Sequence, residues 1–163
     1  MNTTNQPQTS KGILRNLTII HMAFCTSIFL FGIVVLYVTK NQFMNFTDTE
    51  DRLFYVVPVL AIVGPLVSQY LFKKTIFKAH SKSSLMEKLM HYQSSKLIQI
   101  ALIEGPALLG IVGFLTTSNQ YYLIFSAALL IYLVSLRPTP SDIRPNLNFN
   151  AEQEREFRDL TRK

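Results

Sequence analysis

One carboxylic acid stands inside an otherwise uncharged run: Glu104, within Ala101-Leu102-Ile103-Glu104-Gly105-Pro106-Ala107-Leu108-Leu109-Gly110. The run is apolar enough to cross a bilayer, where an ionised side chain at mid-helix costs roughly 2.5–3.5 kcal/mol on insertion scales. Desolvation penalises the charged form. The expected state is therefore a protonated carboxyl, or one held by a polar partner. The apolar segments offer few partners: Gln69 and Ser68, Gln99 and Lys96, His21 and Thr26, with Gln69, Gln99 and His21 the leading candidates. Three roles fit such an acid. It is a proton- or cation-binding site in transport, a polar contact between helices or subunits, or a protonated structural group.

A second feature is paired. Gly-Pro occurs at Gly64-Pro65 and again at Gly105-Pro106. Proline removes a helical hydrogen bond and kinks the chain, while glycine lets helices approach closely. Each pair lies about 13 Å, at helical rise, from the same edge of its apolar segment. The pattern predicts either one shared layer where two helices cross or bend, or two separate kinks in a static bundle.

The remaining reactive side chains support no enzyme. The single cysteine, Cys25, sits in an apolar run and forms no CxxC pair, so it reads as a small core residue. His91 follows Glu87 by four residues, which places the two on one helical face. No His, Cys and carboxylate spacing resembles a metal site, and neither a phosphate loop nor a nucleophile elbow is present. No cofactor and no metal are expected. Asn-x-Thr occurs at Asn2, Asn16 and Asn45, matches short enough to arise by chance.

The elements that must position Glu104 are long apolar runs. Charged residues make up only 16% of the chain and gather in the termini and connections. A helix of about 20 residues crosses a hydrocarbon core of about 30 Å, and spans are expected at about 17–38, 53–72, 97–116 and 121–136. Residues 84–96 read as a helical extension feeding the third span, with Leu85, Met86, Leu89 and Met90 at helical spacing. Arg137-Pro138-Thr139-Pro140 ends the fourth span. The flanks are a polar, disordered tail at 1–12 and a tail at 138–163 with a short charged helix, Ala151 to Arg162, capped by Asn150. The fold class is an all-α integral membrane four-helix bundle.

Charge sets the orientation. The net charge of +6 is neither interleaved with aromatics nor part of a nucleic-acid motif, so nucleic acid is not an expected partner. Of the 16 Lys and Arg, all but Lys40 and Arg52 fall in the N-terminal segment, the 73–96 connection and the region from Arg137 onward. With an even number of spans these segments share one side, and the positive-inside rule places both termini in the cytosol.

Ala101-Leu102-Ile103-Glu104-Gly105, with Ala107 and Gly110, resembles the ion-carrying helix of the rotary ATPase proteolipid subunits. That resemblance implies a proton- or sodium-binding glutamate at Glu104. It spans about ten residues; the family's glycine-rich packing helix has no counterpart, and Pro106 departs from its pattern. Four spans with one intramembrane glutamate are also similar to the small multidrug-resistance transporters. That family carries its glutamate in the first span and tryptophan in its site, whereas this chain has no Trp. By size and topology the chain resembles the small four-helix inner-membrane proteins of bacteria. The expected role is an interaction or accessory subunit of a membrane complex, partnered by the lipid bilayer and by another membrane protein or a second copy. The alternative is a proton- or cation-coupled transporter or channel component using Glu104.

Overall fold

The computed structural model describes residues 10–47 and 50–161. Most of the tail expected at 1–12, the Asn2 sequon and the last residue of the expected terminal helix, Arg162, lie outside the described residues. Six helices make up the fold: α1 (Ser10–Val38), α2 (Leu53–Phe77), α3 (Leu85–Thr117), α4 (Tyr121–Ser135), α5 (Pro140–Leu147) and α6 (Ala151–Thr161). The chain is all-α, and no strand occurs among the described residues. Helix α1 begins at Ser10, so the last three residues of the region expected to be disordered are already helical.

Three helices, α1, α2 and α3, are long and apolar enough to cross a membrane. Their outward faces carry Ile19, Phe29, Leu30, Ile33, Ile62, Leu66 and many similar side chains, all about half exposed or more. Apolar surface on that scale suits lipid rather than water as the surrounding medium. Helix α3 is the axis, packing against α1, α2 and α4. At 33 residues it is about 50 Å long, well beyond the hydrocarbon thickness. Its first third is an unbroken extension below the spanning part, as the spacing of Leu85 to Met90 predicts. Helix α4 has 15 residues, about 22 Å, and turns through 76° into α5.

The buried side chains form two clusters. One lies among the long helices and contains Ile28, Val57, Ile103, Ala107, Phe114 and Leu129. The other is at the end that carries the N-terminus of α1, the α2–α3 turn, α5 and α6. Here Ile13, Leu17, Phe72, Leu89, Tyr92, Ile143, Leu147 and Phe157 meet. We call this end the base. Its C-terminal part is folded onto the bundle rather than trailing from it. Thr139 caps α5 by accepting from the Asp142 N–H, and Pro140 opens the helix, where a missing N–H costs nothing. Asn150 and Gln153 cap α6 reciprocally: the Gln153 N–H donates to Asn150 Oδ1 at 2.8 Å and the Asn150 N–H to Gln153 Oε1 at 3.2 Å.

At the opposite end, the rim, the two connections are stitched together. The Phe43 N–H donates to the Ser118 carbonyl at 3.1 Å, and the Gln120 N–H donates to the Phe43 carbonyl at 2.8 Å. Asn119, fully buried, accepts from the Asn45 and Tyr121 N–H groups and donates to the Asn45 carbonyl. The Asn45 side-chain oxygen accepts from both the N–H and the hydroxyl of Thr47. The sequon at Asn45 is thus closed into a local turn, while Asn16 lies within α1.

Candidate functional site

The two Gly-Pro pairs meet. A Cβ on Gly64 would stand 3.0 Å from the Leu102 carbonyl oxygen and 3.1 Å from Cγ of Pro106. Pro106 has no N–H to give the Leu102 carbonyl. The Leu102 carbonyl, left without that bond, faces the side of Gly64 where a Cβ would stand. In α2, Pro65 likewise frees a carbonyl one turn back. Ser68, buried in the interface, donates to the Pro65 carbonyl at 2.8 Å. Gly64 of the first pair therefore lies against Pro106 of the second.

Glu104 stands beside this layer on the other flank of α3. Its carboxylate accepts from the Ser27 hydroxyl of α1 at 3.2 Å, a partner that sequence reasoning missed. Two of the three leading candidate partners are engaged elsewhere. Gln69 donates to the Tyr132 hydroxyl at 2.6 Å. His21 donates through Nε2 to the Leu133 carbonyl at 2.9 Å, with Cys25 Sγ 4.0 Å from the same nitrogen. Gln99 is buried, and among the described residues neither its Oε1 nor Nδ1 of His21 has a hydrogen-bond partner. Thr26 lines a surface recess between α1 and α4, and Lys96 pairs with Asp142. The Ser27 contact had one signal, a lone hydroxyl on the first span, but nothing in the spacing aligns it with Glu104.

The open face of α3 runs between α1 and α2, which share no comparable interface with each other. Its exposed positions are Ser94, Ile98, Ala101, Gly105, Val112 and Leu115, with half-buried Leu108 completing a seven-residue repeat. After Ser94, Ile98 precedes the middle of this seam, and Leu108, Val112 and Leu115 follow it. At the Gly-Pro layer the side chains shrink to Ala101 and Gly105, and a Cβ added at Gly105 would meet nothing within 4 Å. Alongside lies an apolar notch of about 340 Å³, walled by Leu60, Val63, Gly64 and Val67 of α2 and by Gly105 and Pro106 of α3. Gly110 and Gly113 differ from Gly105, because both are already filled by α4.

Comparison with protein-family models, with curated proteins and with solved structures finds no match to this chain. The reading of the site rests on its geometry.

A second polar group holds the base together. Lys96, only 2% exposed, pairs with Asp142 of α5 at 3.3 Å and lies over the Phe72 ring at 5.2 Å. The Tyr92 hydroxyl donates to the same Asp142 oxygen. One turn and more below, Lys88 donates to the carbonyls of Leu147 and Asn148 at the C-terminus of α5, where a cation complements the helix dipole. Two lysines of α3 therefore hold α5 at both ends. Burial pushes the Lys96 ammonium down from its ordinary range, and the charge and hydrogen bond of Asp142 push it back up. The Tyr92 hydroxyl is pushed above its ordinary value of 10, first by burial and then by the hydrogen bond and charge of Asp142. Both residues precede Leu97, where the span expected from the sequence begins.

The Tyr92 shift has a measurable sign. The folded protein holds this proton more tightly than the unfolded chain, so the stabilisation is fully present below about pH 10 and is lost as pH rises further. An ultraviolet tyrosinate titration is expected to include one tyrosine, Tyr92, that ionises only as the base opens. In Tyr92→Phe the late part of the titration should lose the amplitude of one tyrosine. An unchanged late amplitude would show that Tyr92 is not among the resistant tyrosines.

Among the described residues, no group of three or more His, Cys, Asp or Glu side chains could hold a metal ion.

Proposed function

We propose that this chain is an integral membrane protein of four crossings, with both termini in the cytosol of a bacterium and the bundle in its inner membrane. We infer that it works as an interaction or accessory subunit, receiving on the α3 seam one helix of a partner or of a second copy. The observation that carries this reading is the shrinkage of the seam to Ala101 and Gly105 at the level of the Gly-Pro notch. Lipid tails gain nothing from a small-residue groove, whereas helix association in membranes relies on close backbone approach at small residues. In this reading Glu104, next to the seam, supplies a polar contact across the interface. Helix α4 crosses despite its length, with the bilayer thinning locally or the bent α4–α5 pair reaching the interface.

The test is copurification in mild detergent. Gly105→Leu is expected to leave the isolated chain folded, because no neighbour opposes a side chain there, and to abolish recovery of the larger assembly. Recovery of the assembly at the level seen without the substitution would reject the seam as the docking face.

A second reading keeps Glu104 as the protonatable group of a proton- or cation-coupled transporter or channel component. Its support is the isolated carboxyl–hydroxyl pair with Ser27. Glu104→Gln separates the two: the amide retains a hydrogen bond across an interface, but it cannot carry a proton.

A further inference from the structure

One face of α1 carries two recesses, and we read the stripe that joins them as a furrow. At the base, between α1, α5 and α6, the first has about 240 Å³; Lys11, Arg15 and Thr18 of α1 line it together with the apolar Leu14, Pro138, Pro140, Ile143 and Leu160. Farther along the same stripe of α1 comes an apolar recess between Thr26, Phe29, Leu130 and Val134. Residues 11, 15, 18, 26 and 29 follow helical spacing, so the two recesses share one face of α1. From Thr18 to Phe29 the helix rises about 17 Å, close to half the thickness of a hydrocarbon core of about 30 Å.

The charges at the mouth are uncompensated. Lys11 and Arg15 stand one turn apart on α1 and both line the recess. Neither is in an ion pair among the described residues, where the bridges are Lys96–Asp142 and Arg144–Glu154. A docked helix would explain the apolar recess but leave two cations without a counter-charge. A free phosphate would satisfy the cations and leave the apolar furrow empty. A single molecule with an anionic phosphate at one end and a chain one leaflet long at the other satisfies both.

We propose that this furrow is a binding site for one anionic glycerophospholipid of the leaflet nearest the base. Its phosphate lies between Lys11 and Arg15, above Thr18, whose hydroxyl donates to the Leu14 carbonyl at 3.0 Å. One acyl chain runs along α1 into the recess between Phe29 and Val134.

Native mass spectrometry of the full chain tests this, using phosphatidylglycerol and phosphatidylcholine of matched acyl chains. One phosphatidylglycerol per chain is expected to be retained, favoured over phosphatidylcholine by about one order of magnitude, from the attraction of anionic lipid to each nearby cation. Lys11→Gln with Arg15→Gln should erase that preference. Val134→Trp, at a position 54% exposed, should fill the recess and lower retention of both lipids in a chain that stays monodisperse. Lys73→Gln with Lys74→Gln removes equal charge from the exposed face of α2 and should change nothing. Equal retention of the two lipids, or equal loss in the Lys73 and Lys74 variant, would overturn the site. Displacement of the lipid by millimolar inorganic phosphate would also overturn it, showing an anion site with no role for the furrow.

Discussion

Asp142→Ala is expected to open the base by about 3 kcal/mol while the long helices stay paired. The reason is asymmetry of burial across the ion pair: the Lys96 side chain is 3% exposed and that of Asp142 37%. Removing one partner of a buried pair strands the other and costs about 3–5 kcal/mol. Partial exposure of Asp142 puts this case at the lower end. The loss also takes away the acceptor of the Tyr92 hydroxyl and the negative charge in the first turn of α5, so α5 and the packed Phe157 of α6 detach together. Trypsin should then cut at Arg155 and Arg158 of α6 at concentrations that leave the unsubstituted chain whole. Adding Lys96→Met should recover most of the stability, since a methionine can pack on Phe72 without a charge to compensate. A protease-resistant Asp142→Ala chain would mean that water reaches Lys96.

Gly110→Leu is expected to have the largest effect on the membrane-level bundle. Even the Cβ of an alanine at 110 would lie 2.2 Å from Ser126 Oγ and 3.0 Å from the Tyr122 carbonyl oxygen. Ser126 has little freedom to move, because it donates to the Ala107 carbonyl at 2.8 Å and to that of Tyr122 at 3.4 Å. Overpacking of this kind costs about 1–3 kcal/mol for small additions, and leucine should exceed that range by forcing α4 off α3. Gly110→Ala with Ser126→Gly should recover part of the loss, leaving the contribution of the Tyr122 carbonyl, which no side-chain change relieves. Gly105→Ala is the matched control and should be neutral or slightly stabilising through helix propensity. Unfolding in mixed micelles reads all three variants. Equal loss at 105 and 110 would contradict the assignment of the two glycines to different faces.

The sequence makes the long elements legible because lipid simplifies the code. Runs without charge mark the end of α1 at Val38 and the start of α2 at Leu53, but α1 begins seven residues before the expected start and α2 runs five beyond the expected end. The Gly-Pro pairs stand out for the same reason, since proline and glycine have few uses inside an apolar helix, although the motif alone leaves one layer and two separate kinks both open. The packing of the base is not legible. Its core draws single residues from α1, α2, α3, α5 and α6, and no periodicity within one segment reports such a pooling. Helix α5 did carry a local signal, Thr139-Pro140-Ser141-Asp142, in which a capping hydroxyl, an N1 proline and a first-turn acid line up. Two prolines in three residues masked it as a simple stop. The partner of Glu104 stayed hidden because Ser27 is a common residue at an unremarkable position, and only the rotation of α1 against α3 brings the two together.

The central claim is that the seam of α3 receives another helix. Single cysteines placed in turn at Ile98, Ala101, Gly105, Leu108, Val112 and Leu115, in a Cys25→Ser background within native membranes, test it most directly. Oxidative crosslinking to a neighbouring chain is expected to peak at Ala101 and Gly105 and to recur with the spacing of the seam. Crosslinking should be weak at Ile62 and Leu66, which face outward from α2. Uniform crosslinking at both sets of positions, or none along α3, would contradict the account.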